Sequence, residues 1–276
     1  MSLAASRDKS SIFAANRARG EIALTVAIED GRTRRRRVRE SGSLRARFPN
    51  VAGGELEAVI VNSAGGIAGG DRFSLDIAAG EKTRLLVSGA AAEKVYRSAE
   101  ADTEISVRLA ISAGAALRWL PQETILFDRA RLRRQFEIDM AADSSLVLAE
   151  AVVFGRAAMG EKVERGRLID RWRLRRGGRL VFAETMRLDG AIGDLLAQPA
   201  VANGAGAMAT ILFAPADDAA AARLRAVEYS AEVGISAWNG IALARFCAPD
   251  GAALRRDVAA LLAALDRGAP PRLWLN

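Results

Sequence analysis

Asn62-Ser63-Ala64-Gly65-Gly66-Ile67-Ala68-Gly69-Gly70-Asp71 places four glycines within six positions. A short apolar run, Leu56–Val61, leads into it, and an alternating run, Phe73–Ile77, leads out. Two Gly-Gly steps supply positive φ and close backbone approach. A phosphate cradle is the sharp reading, and it fails. No Lys-Ser/Thr follows, the G-x-G-x-x-G spacing is absent, and no helix pattern follows whose N-terminus could hold an anion. A tight strand–turn–strand corner remains, built on Gly65, Gly66, Gly69 and Gly70.

Working outward, strands dominate. Ile22, Leu24, Val26 and Ile28 alternate with small or polar residues, and Asp30-Gly31 is a hairpin signal. The return strand carries Arg32, Arg34, Arg35, Arg36, Arg37 and Arg39. Interleaved aromatics for base stacking are missing, so a solvated edge strand is favoured over a nucleic-acid surface. Thr83–Val87, Ile105–Ile111, Phe136–Met140 and Leu146–Val153 continue the pattern, with turn signals at Gly80, Gly114 and Asp143-Ser144. Up to about residue 215 only Ala90–Tyr96 offers a single helical turn. Beyond it, helices are predicted near 217–230, with Asp217-Asp218 as N-cap candidates, and near 252–267. Asn239-Gly240 marks another hairpin. Gly204–Ala209 matches a loose dinucleotide fingerprint, but an apolar strand follows it where a helix is required. An all-β body is expected, either sandwich or solenoid. Residues 1–20 read as a flexible tail and 21–276 as one domain.

Composition narrows the chemistry. The chain has 276 residues, a net charge of +7, no histidine and one cysteine, Cys247. Imidazole bases, histidine triads and the commonest metal ligand are therefore absent. A lone cysteine forms no intrachain disulfide and fits a reducing, cytoplasmic compartment. No membrane-length apolar run is present. Only four of the 40 basic residues are lysine, an arginine bias that carries little functional weight.

Carboxylates on apolar faces are the remaining candidates. Leu168, Asp170, Trp172 and Leu174 share one strand face; Leu180, Phe182, Glu184, Met186 and Leu188 share another. A three-residue loop, Arg176-Gly177-Gly178, matches the two apolar faces and sets Asp170 opposite Glu184. Glu150 lies within an otherwise apolar strand. Neutralisation by arginine, a paired-carboxylate hydrolase and a weak oxygen-only site for a divalent metal all fit this pattern.

Further segments carry a resemblance. Gly65–Asp71 is joined by Lys94-Val95-Tyr96-Arg97, by Trp119-Leu120-Pro121-Gln122-Glu123-Thr124-Ile125-Leu126-Phe127-Asp128, and by Phe154-Gly155-Arg156 with Gly160-Glu161. Arg179–Glu184, Leu188-Asp189-Gly190 and Pro271-Arg272-Leu273-Trp274 follow in order. Together they resemble the urease accessory protein D family (UreD, also called UreH). Ser63-Ala64 and Ser88-Gly89-Ala90 depart from its usual Pro-Pro and Thr-Thr-Gln-like segments. The resemblance implies a mostly β, elongated solenoid-like stack with two C-terminal helices. It implies a non-enzymatic chaperone that joins UreF and the GTPase UreG and docks on apo-urease, with neither nucleic acid nor membrane as a partner. Ni²⁺ would be in transit, with no tightly bound cofactor, along an internal passage lined by acids such as Glu150, Asp170 and Glu184. Asp71, Lys94, Tyr96, Gln122, Glu123, Gly155, Arg156 and Glu161 are the family-motif residues. The alternative is a β-rich nucleic-acid-binding protein using the Arg32–Arg39 strand.

Overall fold

The glycine corner does not close a hairpin; it carries the chain from one sheet to another. The computed structural model describes residues 17–50, 54–156 and 159–275. Within them, β4 (Leu56–Asn62) belongs to one sheet and β5 (Arg72–Ala79) to the second. The step repeats. The chain alternates through β6 (Arg84–Gly89), β8 (Thr103–Ile111), β9 (Ala116–Leu120), β11 (Arg131–Met140), β12 (Ser145–Phe154) and β13 (Gly166–Arg176). Sheet A stacks β1 (Arg19–Glu29), β5, β8, β11 and β13 in parallel. Sheet B stacks β4, β6, β9 and β12 in parallel. The two sheets form a β-solenoid of about four turns. Two short strands, β7 (Glu93–Val95) and β10 (Thr124–Leu126), pair side by side and join sheet B through β12.

Antiparallel strands finish both ends. In sheet A, β2 (Arg32–Gly42) returns beside β1, and β14 (Arg179–Gly190) returns beside β13. Sheet B is extended by β3 (Leu44–Arg47) at one edge. At the other it continues through β15 (Ala207–Ala214), β17 (Ile241–Ala248) and β16 (Glu232–Trp238). Both Asp30-Gly31 and Asn239-Gly240 adopt positive φ at the two turn positions, the geometry that two-residue hairpins need. The arginine strand β2 is an edge, mostly exposed, and a bulge opposite Thr25/Val26 interrupts its pairing. Such bulges and charges protect an open edge from further strand addition.

Parallel strands covered on both faces read as apolar runs, and sheet B shows this. Its inner residues, such as Leu117, Leu146 and Leu148, meet Leu109, Leu132 and Ile138 of sheet A in the main core. Its outer residues, such as Val147, Ile211 and Phe246, are covered by α2 (Asp218–Arg225) and α3 (Gly251–Leu265). Leu254, Val258, Leu261 and Leu262 are the buried stripe of α3. A third helix, α1 (Ile192–Ala197), was not anticipated by periodicity: it has six residues and its N-cap, Ala191, makes no side-chain hydrogen bond. The segment Ala90–Tyr96, read as a helical turn, holds strand β7 because a parallel neighbour, β10, takes its backbone bonds. Residues 1–16 of the expected tail lie outside the described residues, and Arg19 and Gly20 already belong to β1.

Candidate functional site

The corners stack, and a cavity opens beneath them. Its volume is about 260 Å³. The outer wall holds Asn62, Gly65, Gly66 and the Gly89–Glu93 corner; the inner end holds Trp119, Arg134 and Glu150. Gly66 is required where it stands. Its φ is +142°, and a Cβ there would lie 2.4 Å from the Tyr96 ring. Gly69 has ordinary φ but no space: a Cβ would meet Ser98 Oγ at 1.9 Å and the Ala101 carbonyl at 2.7 Å. Gly65 and Gly70 are also at positive φ. Asp71 holds the corner from below, accepting from Ala68 N and Ala18 N, both at 2.8 Å. Positive φ and close contacts thus leave little room for a side chain at this corner.

At the outer wall, the Asn62 amide donates to both oxygens of Glu93 at 3.2 Å. Burial pushes Glu93 up to about 6, against the Asn62 hydrogen bond that lowers it. Glu93 carries no sequence signal of its own, because its strand is three residues long.

The inner end is a buried charge cluster. Arg134 projects from β11 between the sheets, with its side chain 4% exposed. It donates through Nη1 to Glu150 of β12, through Nη2 to Asp170 of β13, and through Nε to Asp170 at 3.2 Å. Each carboxylate is completed by an indole: Trp119 Nε1 donates to Glu150 at 2.7 Å and Trp172 Nε1 to Asp170 at 2.8 Å. Burial alone would lower the Arg134 pKa, but Asp170 and Glu150 more than offset it and hold the guanidinium charged. Burial raises Glu150 to about 7; Arg134 pulls it down and the neighbouring Asp170 charge pushes it up. Burial is the main cause, with the Asp170 charge adding to it, so the proton stays on Glu150 well above the usual carboxylate range. An aromatic row, Trp119, Phe136, Trp172, Phe182 and Trp238, runs beside the cluster with successive centroids 5.3–6.5 Å apart.

Asp170 and Glu184 are not partners, contrary to the face-matching register. The turn is the two-residue Gly177-Gly178, and a bulge past Leu174 restores the apolar pairing: Leu174 faces Phe182, Trp172 faces Glu184 and Asp170 faces Met186. One extra residue on β14 satisfies both the tight glycine turn and the buried face. It also turns Leu180 outward, where it is 53% exposed. Glu184 instead crosses to Arg245 of β17 and joins the two sheets at that end. The structure therefore brings Glu150 and Asp170 together on Arg134 and leaves Glu184 apart. Among the described residues, no three acidic or cysteine side chains converge as a metal cage.

Sheet B has a local break beside Glu150. β12 pairs with β9 as far as Leu148 opposite Trp119, and with β10 from Val152 opposite Thr124. Between them lie Leu120–Glu123 and Ala149–Ala151, and Pro121 has no N–H to donate. Glu123 and Gln122 turn outward there: Arg255 of α3 donates to both, and Gln122 donates to the Leu273 carbonyl at 3.2 Å. A small second pocket, about 20 Å³, lies on this outer side and is lined by Pro121, Glu123, Glu150, Arg255 and Trp274.

The other motif residues form a surface group around the corner. Tyr96 Oη donates to the Gly65 carbonyl at 2.9 Å and packs edge-on to Phe127. Arg156 lies 4.3 Å above the Phe127 ring and donates to Glu161 at 2.8 Å. Gly155, at φ +83°, would carry a Cβ 2.3 Å from the Glu161 carbonyl. The Lys94 carbonyl accepts from Ile67 N at 2.8 Å, while its side chain is exposed. No helix among the described residues is long and apolar enough to cross a membrane.

Comparison of the sequence with known proteins shows the family. The model of the UreD urease accessory protein family matches residues 18–275. The urease accessory protein UreD of Rhodopseudomonas palustris strain BisB18 is 61% identical over 96% of both chains. UreD 3 of Bradyrhizobium sp. strain BTAi1 is 57% identical over 96% of both chains. UreD of Bradyrhizobium diazoefficiens strain USDA 110 is 56% identical over 97% of both. This solenoid, with its glycine corner and its buried Glu–Arg–Asp cluster, belongs to the UreD family of urease accessory proteins.

Proposed function

We propose that the chain is a non-catalytic urease-maturation chaperone that joins a UreF-like protein and a UreG-like GTPase, docks on apo-urease and passes Ni²⁺ to it through its interior. The observation that carries this reading is the cavity running from the Glu93 side of the corner to Glu150, beside the break in sheet B that adjoins the second pocket. Oxygen ligands without imidazole or thiolate hold Ni²⁺ weakly, which suits cargo in transit better than storage. Glu93 and Glu150 are the acids on this route; Glu123 stands on its outer side. Asp170 supports it through Arg134, and Glu184, opposite Trp172 and paired with Arg245, stands apart from it.

The test is urease matured with Glu93→Gln or Glu150→Gln variants. Both are expected to fold, to co-purify with the accessory proteins, and to yield urease with less nickel and lower activity. Full nickel content with both variants would sink the route. Neither variant is expected to affect pull-down of UreF, so loss of that interaction would assign the acids to docking.

A further inference from the structure

All four carboxylate oxygens at the inner end of the cavity are engaged. Glu150 gives one oxygen to Trp119 and one to Arg134; Asp170 gives one to Trp172 and one to Arg134. Thr124 Oγ1 caps the same guanidinium Nη1 at 3.4 Å, and the Phe136 ring lies 5.7 Å from its carbon. A guanidinium is not deprotonated in a protein, so this positive charge is permanent. An arriving divalent cation meets a like charge at short range in a poorly solvated space, and every carboxylate oxygen there already accepts a hydrogen bond. The other charged groups on the cavity wall, Glu93 and Lys94, lie on the corner side and do not offset Arg134.

We propose that Arg134 is a tethered-cation gate: in the isolated chain it occupies the Glu150–Asp170 pair and excludes divalent cations, and a cation reaches these carboxylates only when the guanidinium swings away. The cavity that borders it gives the side chain room to do so. This rests on the interior-route reading and names the residue that controls it. Arg134 is a selectivity residue rather than a ligand. It sits between the two carboxylates, Glu150 and Asp170, that an entering divalent ion would otherwise approach.

The two indoles report on the gate directly. Nickel chloride is titrated into the isolated, ¹⁵N-labelled chain while the Trp119 and Trp172 Nε1–H signals are followed, with thermal melts alongside. In the wild type, equimolar Ni²⁺ is expected to leave both signals unchanged. In Arg134→Gln both should broaden or shift, with Ni²⁺ affinity higher by about tenfold or more. Arg134→Lys keeps the charge and should stay closed. If Arg134→Gln does not fold, the charge-balanced Arg134→Gln/Asp170→Asn variant replaces it and should perturb Trp119 but not Trp172. Perturbation of both indoles in the wild type, or none in a folded Arg134→Gln or in the double variant, overturns the gate. Failure of the route would appear separately, as full nickel in urease matured with both Glu93→Gln and Glu150→Gln.

Discussion

Arg134 and Glu150 face each other across the solenoid, one from sheet A and one from sheet B, and their ion pair ties the two sheets beneath the glycine corner. The pair is not balanced, because Asp170 draws on the same guanidinium. Chiefly because it is buried, and further because of the Asp170 charge, Glu150 takes up a proton on folding at a pH where the unfolded chain has already lost it.

That burial fixes a pH dependence. Glu150 moves from 4.5 to about 7 on folding, so the native state binds the extra proton between those values. Stability contributed by this group is full below about 4.5 and is lost as pH rises to about 7. Glu93 adds a smaller loss between 4.5 and about 6. Urea denaturation of Glu150→Gln against wild type at pH 5 and pH 8 checks this. The variant should be relatively more stable at pH 8; an unchanged pH slope would show that Glu150 is not the group.

The glycines of the corner are expected to differ in cost. Gly65 has positive φ but open space, so Gly65→Ala should cost about 1 kcal/mol. Gly66→Val and Gly69→Val meet the Tyr96 ring and the Ala101 carbonyl and should cost on the order of 3 kcal/mol or more. Thermal melts of the three variants give the order, and equal melting temperatures would refute it.

Helix α3 is anchored by two aspartates. Asp250 caps it, accepting from Ala253 N at 2.8 Å, and Asp250→Ala should cost about 1 kcal/mol. Asp257, buried on the same helix, accepts from Ala231 N at 2.6 Å and from Ser230 Oγ at 3.1 Å. Asp257→Ala leaves that backbone N–H unpaired and should cost about 1–3 kcal/mol. The two losses are expected to be separable by equilibrium denaturation, with the Asp257 loss the larger.

The arginine strand is expected to be tolerant. Arg34 and Arg37 are exposed on an edge, and exposed charges contribute little. Arg34→Glu and Arg37→Glu should each shift stability by less than about 0.5 kcal/mol and leave nickel in matured urease unchanged. Salt-dependent binding of duplex DNA by the wild type, lost in these variants, would favour a nucleic-acid role.

Local rules were enough for much of this molecule. Alternation placed Ile22–Val26 and Phe136–Met140 in strands, a continuous apolar run placed Leu146–Val153, and dipeptide chemistry placed the Asp30-Gly31 and Asn239-Gly240 turns. Period 3.6 found the buried stripe of α3. These signals depend on residues near one another in the chain, where side-chain period and backbone φ are decided. The quoted motifs also pointed to the family. Tertiary structure alone decided what lay across the fold. Whether Gly65–Gly70 closed a hairpin or turned between sheets depended on partners tens of residues away. The register of β13 with β14 depended on a bulge that lets a tight turn and a buried face coexist. Arg134 was the largest gap: in sequence it is one arginine among many, in an alternating strand where an inward charge breaks the pattern. Only stacking β11 between β8 and β13, with β12 across the core, places it between Glu150 and Asp170. A buried charge is stable only when its counter-charges arrive from other strands, and no local pattern records that meeting.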